Sequence, residues 1–426
     1  MIIQPSLSLS PSSSAPSLTP SHSSSHFLAN PHTSSAASAS GRILFTNNNT
    51  RVPHILPLTV VPRPRTSSAV HLAKRWPPLG ADSMNHPVFG QSLLAFIGEQ
   101  DARVEEGLMP VILHLQAACK QIAAVLGSPS GLSSVTQNVE ASLEAGSSST
   151  RDVPKPLDIV SNDLLKSALK SSGKVCVIAS EEDNLPLWLN DTGPYVVVFD
   201  PLDGSRNIDA SIPTGTIFGI YRRLEEADNL PTDHKASLNV LQRGSRQIAA
   251  GYAIYSSAIV LCLTFGSGTH GFTLDRSSGE FLVSHPNIRI PERGQIYSVN
   301  DARYFDWPEG LRNYIDNIRQ GKGQNPKKYS ARYICSLVAD LHRTILYGGI
   351  AMNPRDHLRL VYEANPLSFL VEQANGKGSD GKRRILDIQP VGVHQRLPLF
   401  LGSKEDVSEL ESYEDVQQLI NPGYEL

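Results

Sequence analysis

Two apolar, β-branched runs in the middle of the chain each end in a pair of carboxylates. The first reads Val175-Cys-Val-Ile-Ala-Ser-Glu181-Glu182-Asp183, and the second Tyr195-Val-Val-Val-Phe-Asp200-Pro-Leu-Asp203-Gly204-Ser205. Short runs of this composition, bounded by turn residues, are the pattern of strands buried on both faces. Acid pairs at neighbouring strand mouths repel one another unless a cation sits between them. Hard oxygen donors of this kind suit Mg²⁺ or Mn²⁺ rather than thiophilic metals. The Gly-Ser turn offers backbone N–H groups beside that cation, where a phosphate would be held. The motif predicts a metal-dependent, phosphate-handling enzyme.

Either pair alone is ordinary, since Asp-Pro is common turn chemistry and Glu-Glu-Asp is a usual solvated strand exit. Their recurrence at two strand mouths, with further acids nearby, makes the functional reading the stronger one. Asp152 and Asp158 flank a Pro-Lys-Pro turn upstream, and Glu363 follows the apolar run Leu358 to Tyr362 downstream. Two other motifs fail on context. Gly266-Ser-Gly-Thr-His-Gly271 fits GxGxxG, but the strand-like Phe272-Thr-Leu-Asp follows it where a dinucleotide site needs a helix. Gly376-Lys-Gly-Ser-Asp-Gly-Lys382 nearly fits a Walker loop, but Arg383 stands where Ser or Thr would bind Mg²⁺, and a helix precedes it.

Between Met1 and Gly80 there is no Asp or Glu, and Ser, Pro, Ala and Thr dominate the first half of that stretch. An acid-free, mildly basic, Ser-rich leader reads as an organelle transit peptide. A formal net charge of -3 over 426 residues excludes a nucleic-acid binder relying on bulk positive charge. Cys119, Cys176, Cys262 and Cys335 form no CxxC pair, so neither a zinc site nor a disulfide scaffold is expected. The uninterrupted apolar stretches are shorter than the ~20 residues of a membrane span, so no membrane partner is expected.

Ordered sequence is expected from near His86. Helical spacing of Leu94, Ile97, Val104, Leu108, Val111, Ile112, Leu115, Ile122 and Val125 predicts one or two amphipathic helices over Leu93 to Leu126. The Ser- and Gly-rich stretch from Gly127 to Thr150 predicts a mobile loop. A helix over Ile159 to Ser171 precedes the two acid-tipped strands. Ile248 to Phe265, Phe272 to Leu274 and Phe281 to Val283 predict a β-meander. A second domain is expected from near Pro291, giving a leader over 1–80 and domains over 86–290 and 291–426. The second domain is predicted to hold helices at Leu311 to Ile318, Ile334 to Leu341 and Leu367 to Ala374. Its predicted strands are Thr344 to Tyr347 and Leu358 to Tyr362. Interleaved helices and strands in both halves imply a layered α/β or α+β fold.

The string Phe199-Asp-Pro-Leu-Asp-Gly-Ser-Arg-Asn-Ile-Asp209, with Thr216-Ile-Phe-Gly-Ile-Tyr after it, resembles the class I fructose-1,6-bisphosphatases. So do Ser180-Glu-Glu-Asp, Leu157-Asp-Ile-Val-Ser-Asn-Asp, Ala331-Arg-Tyr, Ala339-Asp-Leu-His-Arg-Thr and Tyr347-Gly-Gly-Ile. The resemblance runs from about Phe89 to the C-terminus. With the leader, the chain looks like a plastid member of that family.

The resemblance implies a five-layer α-β-α-β-α sandwich and hydrolysis of the 1-phosphate of fructose-1,6-bisphosphate in the chloroplast stroma. It implies roughly two or three Mg²⁺ ions, with Mn²⁺ possible, held by Glu181, Glu182, Asp200, Asp203, Glu363 and the Leu202 carbonyl. Asp152 and Asp158 match loop acids that help activate the attacking water, with Glu182 beside them. Gly204, Ser205 and Arg206 match the turn that holds the 1-phosphate. Asn300, Arg332 and Tyr333 match residues that bind the 6-phosphate, the arginine arriving across a subunit interface of a homotetramer or dimer. Arg359 matches a basic residue of the family's active site, and His357 stands where the family has a phosphate-binding lysine. Asn353 replaces the family's tyrosine, and the stretch between Pro354 and Leu358 is shorter than usual. Another phosphorylated sugar, such as sedoheptulose-1,7-bisphosphate, and a silent sugar-phosphate sensor are the rival readings.

Two regulatory features are expected to be missing. Glu105-Glu-Gly-Leu-Met-Pro110 stands where the AMP-inhibited members have a Gly-Thr-Gly-Glu-Leu-Thr turn, and Pro194 replaces a lysine supporting that site. Leu224 to Arg246 contains no cysteine where light-regulated plastid members carry a cysteine-bearing insertion. Neither AMP inhibition nor thioredoxin control is expected.

Overall fold

The computed structural model describes residues 90–99, 104–105, 107–128 and 155–419. The expected leader, Asp152 and nearly all of the loop from Gly127 to Thr150 lie outside the described residues. The apolar spacing resolves into two helices, α1 (Leu93–Glu99) and α2 (Leu108–Leu126). Leu108, Val111, Ile112, Leu115, Cys119 and Ile122 face the core from α2. By length and composition α2 could cross a membrane, which run length alone did not reveal. Its i, i+3, i+4 face is instead packed in the largest hydrophobic cluster.

Helix α3 (Pro156–Ser171) begins three residues earlier than its apolar pattern suggests, because Pro156 supplies a preset first turn. The acid-tipped strands are β1 (Val175–Ser180) and β3 (Tyr195–Asp203), with the short β2 (Leu187–Trp188) paired to β1. β1 and β3 run parallel, with Ala179 opposite Val198 and Ser180 opposite Phe199. That register sets Glu181 beside Asp200. β4 (Thr214–Arg222) and the predicted meander, β5 (Gln247–Tyr255), β6 (Ile259–Thr264), β7 (Thr269–Asp275) and β8 (Glu280–Ile288), complete an eight-stranded sheet of order β2-β1-β3-β4-β5-β6-β7-β8. The rejected GxGxxG stretch forms the β6–β7 hairpin turn.

A second sheet has the order β10-β9-β11-β13-β12. Its strands are β9 (Ile296–Ser298), β10 (Ser330–Ala331), β11 (Ile350–Arg359), β12 (Gly376–Ser379) and β13 (Arg396–Ser403). The remaining helices are α4 (Thr232–Val240), α5 (Glu309–Gln320), α6 (Leu337–Tyr347), α7 (Asn365–Gln373) and α8 (Lys404–Glu411). Five layers result. Helices α1–α3 cover one face of the first sheet, and α4, α6 and α7 cover the other. The second sheet packs on α6 and α7, and α5 and α8 close its far face. The expected sandwich is therefore present.

Two local expectations are corrected. Thr344 to Tyr347 is the last turn of α6 rather than a strand, because Thr344 and Ile345 are buried by the helical face. The run from Leu358 to Tyr362 changes structure midway. β11 stops at Arg359, and Leu360–Ala364 winds into a π-helical turn leading to α7. A short apolar run cannot tell these alternatives apart.

Candidate active site

Strand register, helix ends and the π-turn bring the acids to one cavity of about 460 Å³. Asp158, Glu181, Glu182, Asp200, Asp203 and Glu363 line one part of it, with Leu202 among them. Carboxylate oxygens of Glu181, Asp200 and Glu363 all lie within 4.8 Å of one another. Asp200 is 2% and Glu363 3% exposed. Burial, then repulsion from Glu181, drives the Asp200 and Glu363 carboxyls far above their ordinary range. Burial likewise pushes Asp203 up to about 7. Clustered, desolvated carboxylates are costly without a counter-cation. The donor set, all hard oxygen with no thiolate or imidazole, fits Mg²⁺ or Mn²⁺. Part of the compensation comes from the chain itself, since the Arg359 guanidinium sits 2.9 Å from Glu181 and the Arg359 backbone N–H donates to Glu363.

Each acid is held by its own local structure. The turn carrying Glu181 and Glu182 is tied to α3, where Ser180 donates to Asn162 at 2.8 Å and Lys166 pairs with Asp183 at 2.8 Å. Asp200 accepts the Leu202 N–H at 2.9 Å, and Thr216 donates to the Pro201 carbonyl at 2.9 Å, fixing the bend that aims both acids inward. Asp203 accepts from the Ser336 hydroxyl at 3.3 Å and the Val338 N–H at 2.8 Å. Tyr362, beside Glu363, shares a 2.8 Å hydrogen bond with His394, whose other ring nitrogen lies 3.1 Å from the Asp183 carbonyl. His394 thus clasps the turn of Glu181 and Glu182 to the turn of Glu363.

Asp158 caps α3 by accepting the Lys155 N–H at 2.8 Å, while its second oxygen is buried with no partner among the described residues. Burial is the main cause that pushes Asp158 up to about 6 and Glu182 up to about 8. Gly204 takes a φ of +77°, and a Cβ there would crowd Ser336 at 3.3 Å, so the position calls for glycine. It opens the short 3₁₀ turn Ser205–Ala210, whose first N–H groups lie outside any intrahelical ladder. Asn207 anchors this turn to the Cys335 carbonyl at 2.8 Å.

Gly204, Ser205, Arg206, Asn300, Tyr333, His357 and Arg359 also line the cavity. Arg332 does not. It is exposed, and its guanidinium bonds the Ala331 carbonyl at 2.8 Å. Sequence reasoning missed Lys155, Arg303, Asp340 and Arg355, all of which line the cavity. Asp340 accepts from Ser298 at 2.7 Å, from the Ile334 and Cys335 N–H groups, and from Arg343, so it shapes the loop carrying Tyr333. A signal existed for it, namely an acid in the first turn of a helix starting after Ser336.

Comparison with known proteins agrees with this geometry. Residues 92–286 match the family model described as fructose-1-6-bisphosphatase, N-terminal domain, and residues 290–415 match its C-terminal domain. The chain is 45% identical over 341 residues to the chloroplastic fructose-1,6-bisphosphatase of Brassica napus, covering 76% of this chain and 81% of that one. It is 45% identical over 329 residues to the chloroplastic enzyme of Spinacia oleracea, covering 73% and 77%. A crystal structure of Leishmania major fructose-1,6-bisphosphatase in holo form superposes with a TM-score of 0.67 at 35% identity, over 77% of this chain and all of that one.

Proposed function

The chain belongs to the fructose-1,6-bisphosphatase family, and from that premise we propose that it hydrolyses the 1-phosphate of fructose-1,6-bisphosphate in the chloroplast stroma. The family is metal-dependent, and the relatives compared above are chloroplastic enzymes. One observation carries the reading for this chain: carboxylate oxygens of half-buried Glu181 and buried Asp200 and Glu363 converge within 4.8 Å in the cavity that also holds the Gly204 turn.

Glu181, Glu182, Asp200, Asp203, Glu363 and the Leu202 carbonyl would hold roughly two or three Mg²⁺ ions. When bound, these would neutralise phosphate charge and acidify a coordinated water. The chain's own groups do the rest. The Ser205 and Arg206 N–H groups receive the 1-phosphate, with Gly204 allowing the backbone to approach. Asp158, whose carboxyl burial pushes up to about 6, and Glu182 beside it accept and pass on the proton of the attacking water. Asp152, which precedes α3 in the sequence, joins them. Asn300, Tyr333 and His357 receive the 6-phosphate. Arg332, exposed and turned from this chain's cavity, fits a role in a partner's cavity within a homo-oligomer.

Phosphate release from a panel of sugar bisphosphates, by wild type and Asp203→Asn in parallel with Mg²⁺, tests the reading. Turnover of fructose-1,6-bisphosphate that collapses in the variant supports it. Preference for another sugar, or silence of both proteins on every sugar, overturns it.

A further inference from the structure

The mid-part of β11 carries a positive group that the sequence reading did not use. Asn353 pairs with Leu399 on β13, whereas Leu358 pairs with Leu397. β11 therefore advances five residues while its partner advances two, and three extra residues bulge from the sheet between them. Asn353, Arg355 and His357 line the cavity from this bulge and its root. The bulge is anchored at its base. The Pro354 carbonyl accepts the Gln418 N–H at 2.7 Å, and the Gln418 side is itself buried.

The Glu181, Asp200 and Glu363 carboxylates gather within 4.8 Å of one another, and Arg303, Asp340, Arg355 and His357 line the same cavity. The His357 imidazole offers single ring-nitrogen contacts rather than a planar fork of donors. Arg355 lines the cavity together with Tyr333 and His357. A fixed guanidinium fork matches a phosphate dianion in two parallel hydrogen bonds, which a point charge cannot do.

We propose that Arg355, presented by the three-residue bulge of β11, is the substrate-binding residue that reads the phosphoryl group remote from the reacting one and sets the preference for bisphosphates. The inference rests on the sugar-bisphosphate reading given above. Arg355 holds the far phosphate from a rigid strand rather than a flexible loop, so the shortened stretch before Leu358 does not weaken recognition. It adds a paired-donor fork beside the single imidazole of His357.

The test compares wild type, Arg355→Ala and Arg355→Lys, each with Mg²⁺, on fructose-1,6-bisphosphate and on fructose 1-phosphate, which lacks the far group. Arg355→Ala is expected to lower the ratio of kcat/KM for the bisphosphate over the monophosphate by about 10- to 100-fold, mainly through KM, with Lys recovering part. Calorimetric binding of fructose 6-phosphate to the same proteins gives a readout independent of turnover, and Arg355→Ala should weaken it by a similar factor. Equal loss on both sugars, or unchanged fructose 6-phosphate binding, would overturn the proposal. Wild type that binds fructose 6-phosphate through Arg355 yet leaves the bisphosphate intact would instead overturn the hydrolase reading alone.

Discussion

The Asp203 carboxylate accepts the Val338 backbone N–H at 2.8 Å, joining the end of β3 to the first turn of α6. An acid of the first sheet is thus seated on the positive end of a helix in the middle layer. The helix stabilises the charge that burial penalises, so Asp203 serves both the cavity and the seam between layers.

Asn at this position keeps an acceptor for Val338 while removing one of several crowded charges. Asp203→Asn is expected to cut phosphate release by at least about 100-fold. Its melting temperature in a chelator should stay within about 2 °C of wild type, or rise. Melting curves and phosphate assays on one preparation check this, and wild-type turnover would contradict it.

Divalent cations should stabilise the folded chain by mass action. At one hundred times its dissociation constant, Mg²⁺ is expected to add about 2.7 kcal/mol. That corresponds to about 3–5 °C in melting temperature for a chain of this size. Glu363→Gln, which removes a buried oxygen charge from the centre, should lose most of the gain. A Mg²⁺ titration followed by calorimetry, with Ca²⁺-free and chelated controls, gives the answer.

Arg359 offers the opposite experiment. Arg359→Met removes the partner of Glu181 and leaves partly buried carboxylates facing one another. Without divalent cation the variant should lose about 2–4 kcal/mol in denaturant unfolding. Saturating Mg²⁺ should restore much of the loss. Equal destabilisation with and without Mg²⁺ would show that packing of the arginine stem, rather than charge, was removed.

Acid sensitivity should have a histidine component. His342 shares a 2.8 Å hydrogen bond with Tyr252 and packs edge-on to His285. Burial pushes its pKa from 6.5 down to about 4. Above pH 6.5 neither state binds the proton, so the folded state pays nothing. As pH falls below 6.5 the unfolded state takes a proton that the folded state refuses, and stability drops until about pH 4, by about 3 kcal/mol in all. His342→Gln should flatten the stability profile between pH 6.5 and 4. Urea unfolding at pH 7 and 4.5 measures the difference; identical profiles would count against it.

Reductive activation is expected to be absent. All four cysteines are free, with Cys119, Cys176 and Cys262 buried. The segment from Leu224 to Arg246 folds around α4 with no thiol. Reductant should change activity by less than about twofold, given that the thiolate is the reactive form and burial raises these thiols to about 11 or 12. AMP inhibition is expected to be weak or missing as well, because Glu105 in the corresponding turn is already bonded by Tyr195 at 2.9 Å and paired with Arg222. Initial rates with micromolar AMP, and with and without reductant, check both.

The acids were legible in the sequence where a long β-branched run delivers them. Glu181, Asp200 and Asp203 follow buried strands whose identity the composition forces. Glu363 was legible as an acid after an apolar run, although that run is half strand and half π-turn. The strand expected at Thr344 failed because β-branched residues on a well-packed helical face yield to tertiary contacts. Asp340 was legible only as an acid in the first turn of a helix, and Arg355 was not legible. Asp340 acts on backbone groups of a neighbouring loop, and Arg355 reaches the cavity only because β13 is three residues shorter across the bulge than β11. Pairing register is a property of two distant segments, and no local window contains it.

The His394 clasp fixes when, during synthesis, this protein can become competent. Every candidate acid has been added to the chain by residue 363, yet the imidazole that joins their two turns follows only at 394, and the Gln418 prop beneath the β11 bulge later still. A nascent chain interrupted before those points carries all the charged groups without the brace that assembles them. Competence in this chain therefore waits on residues that lie C-terminal to every candidate acid.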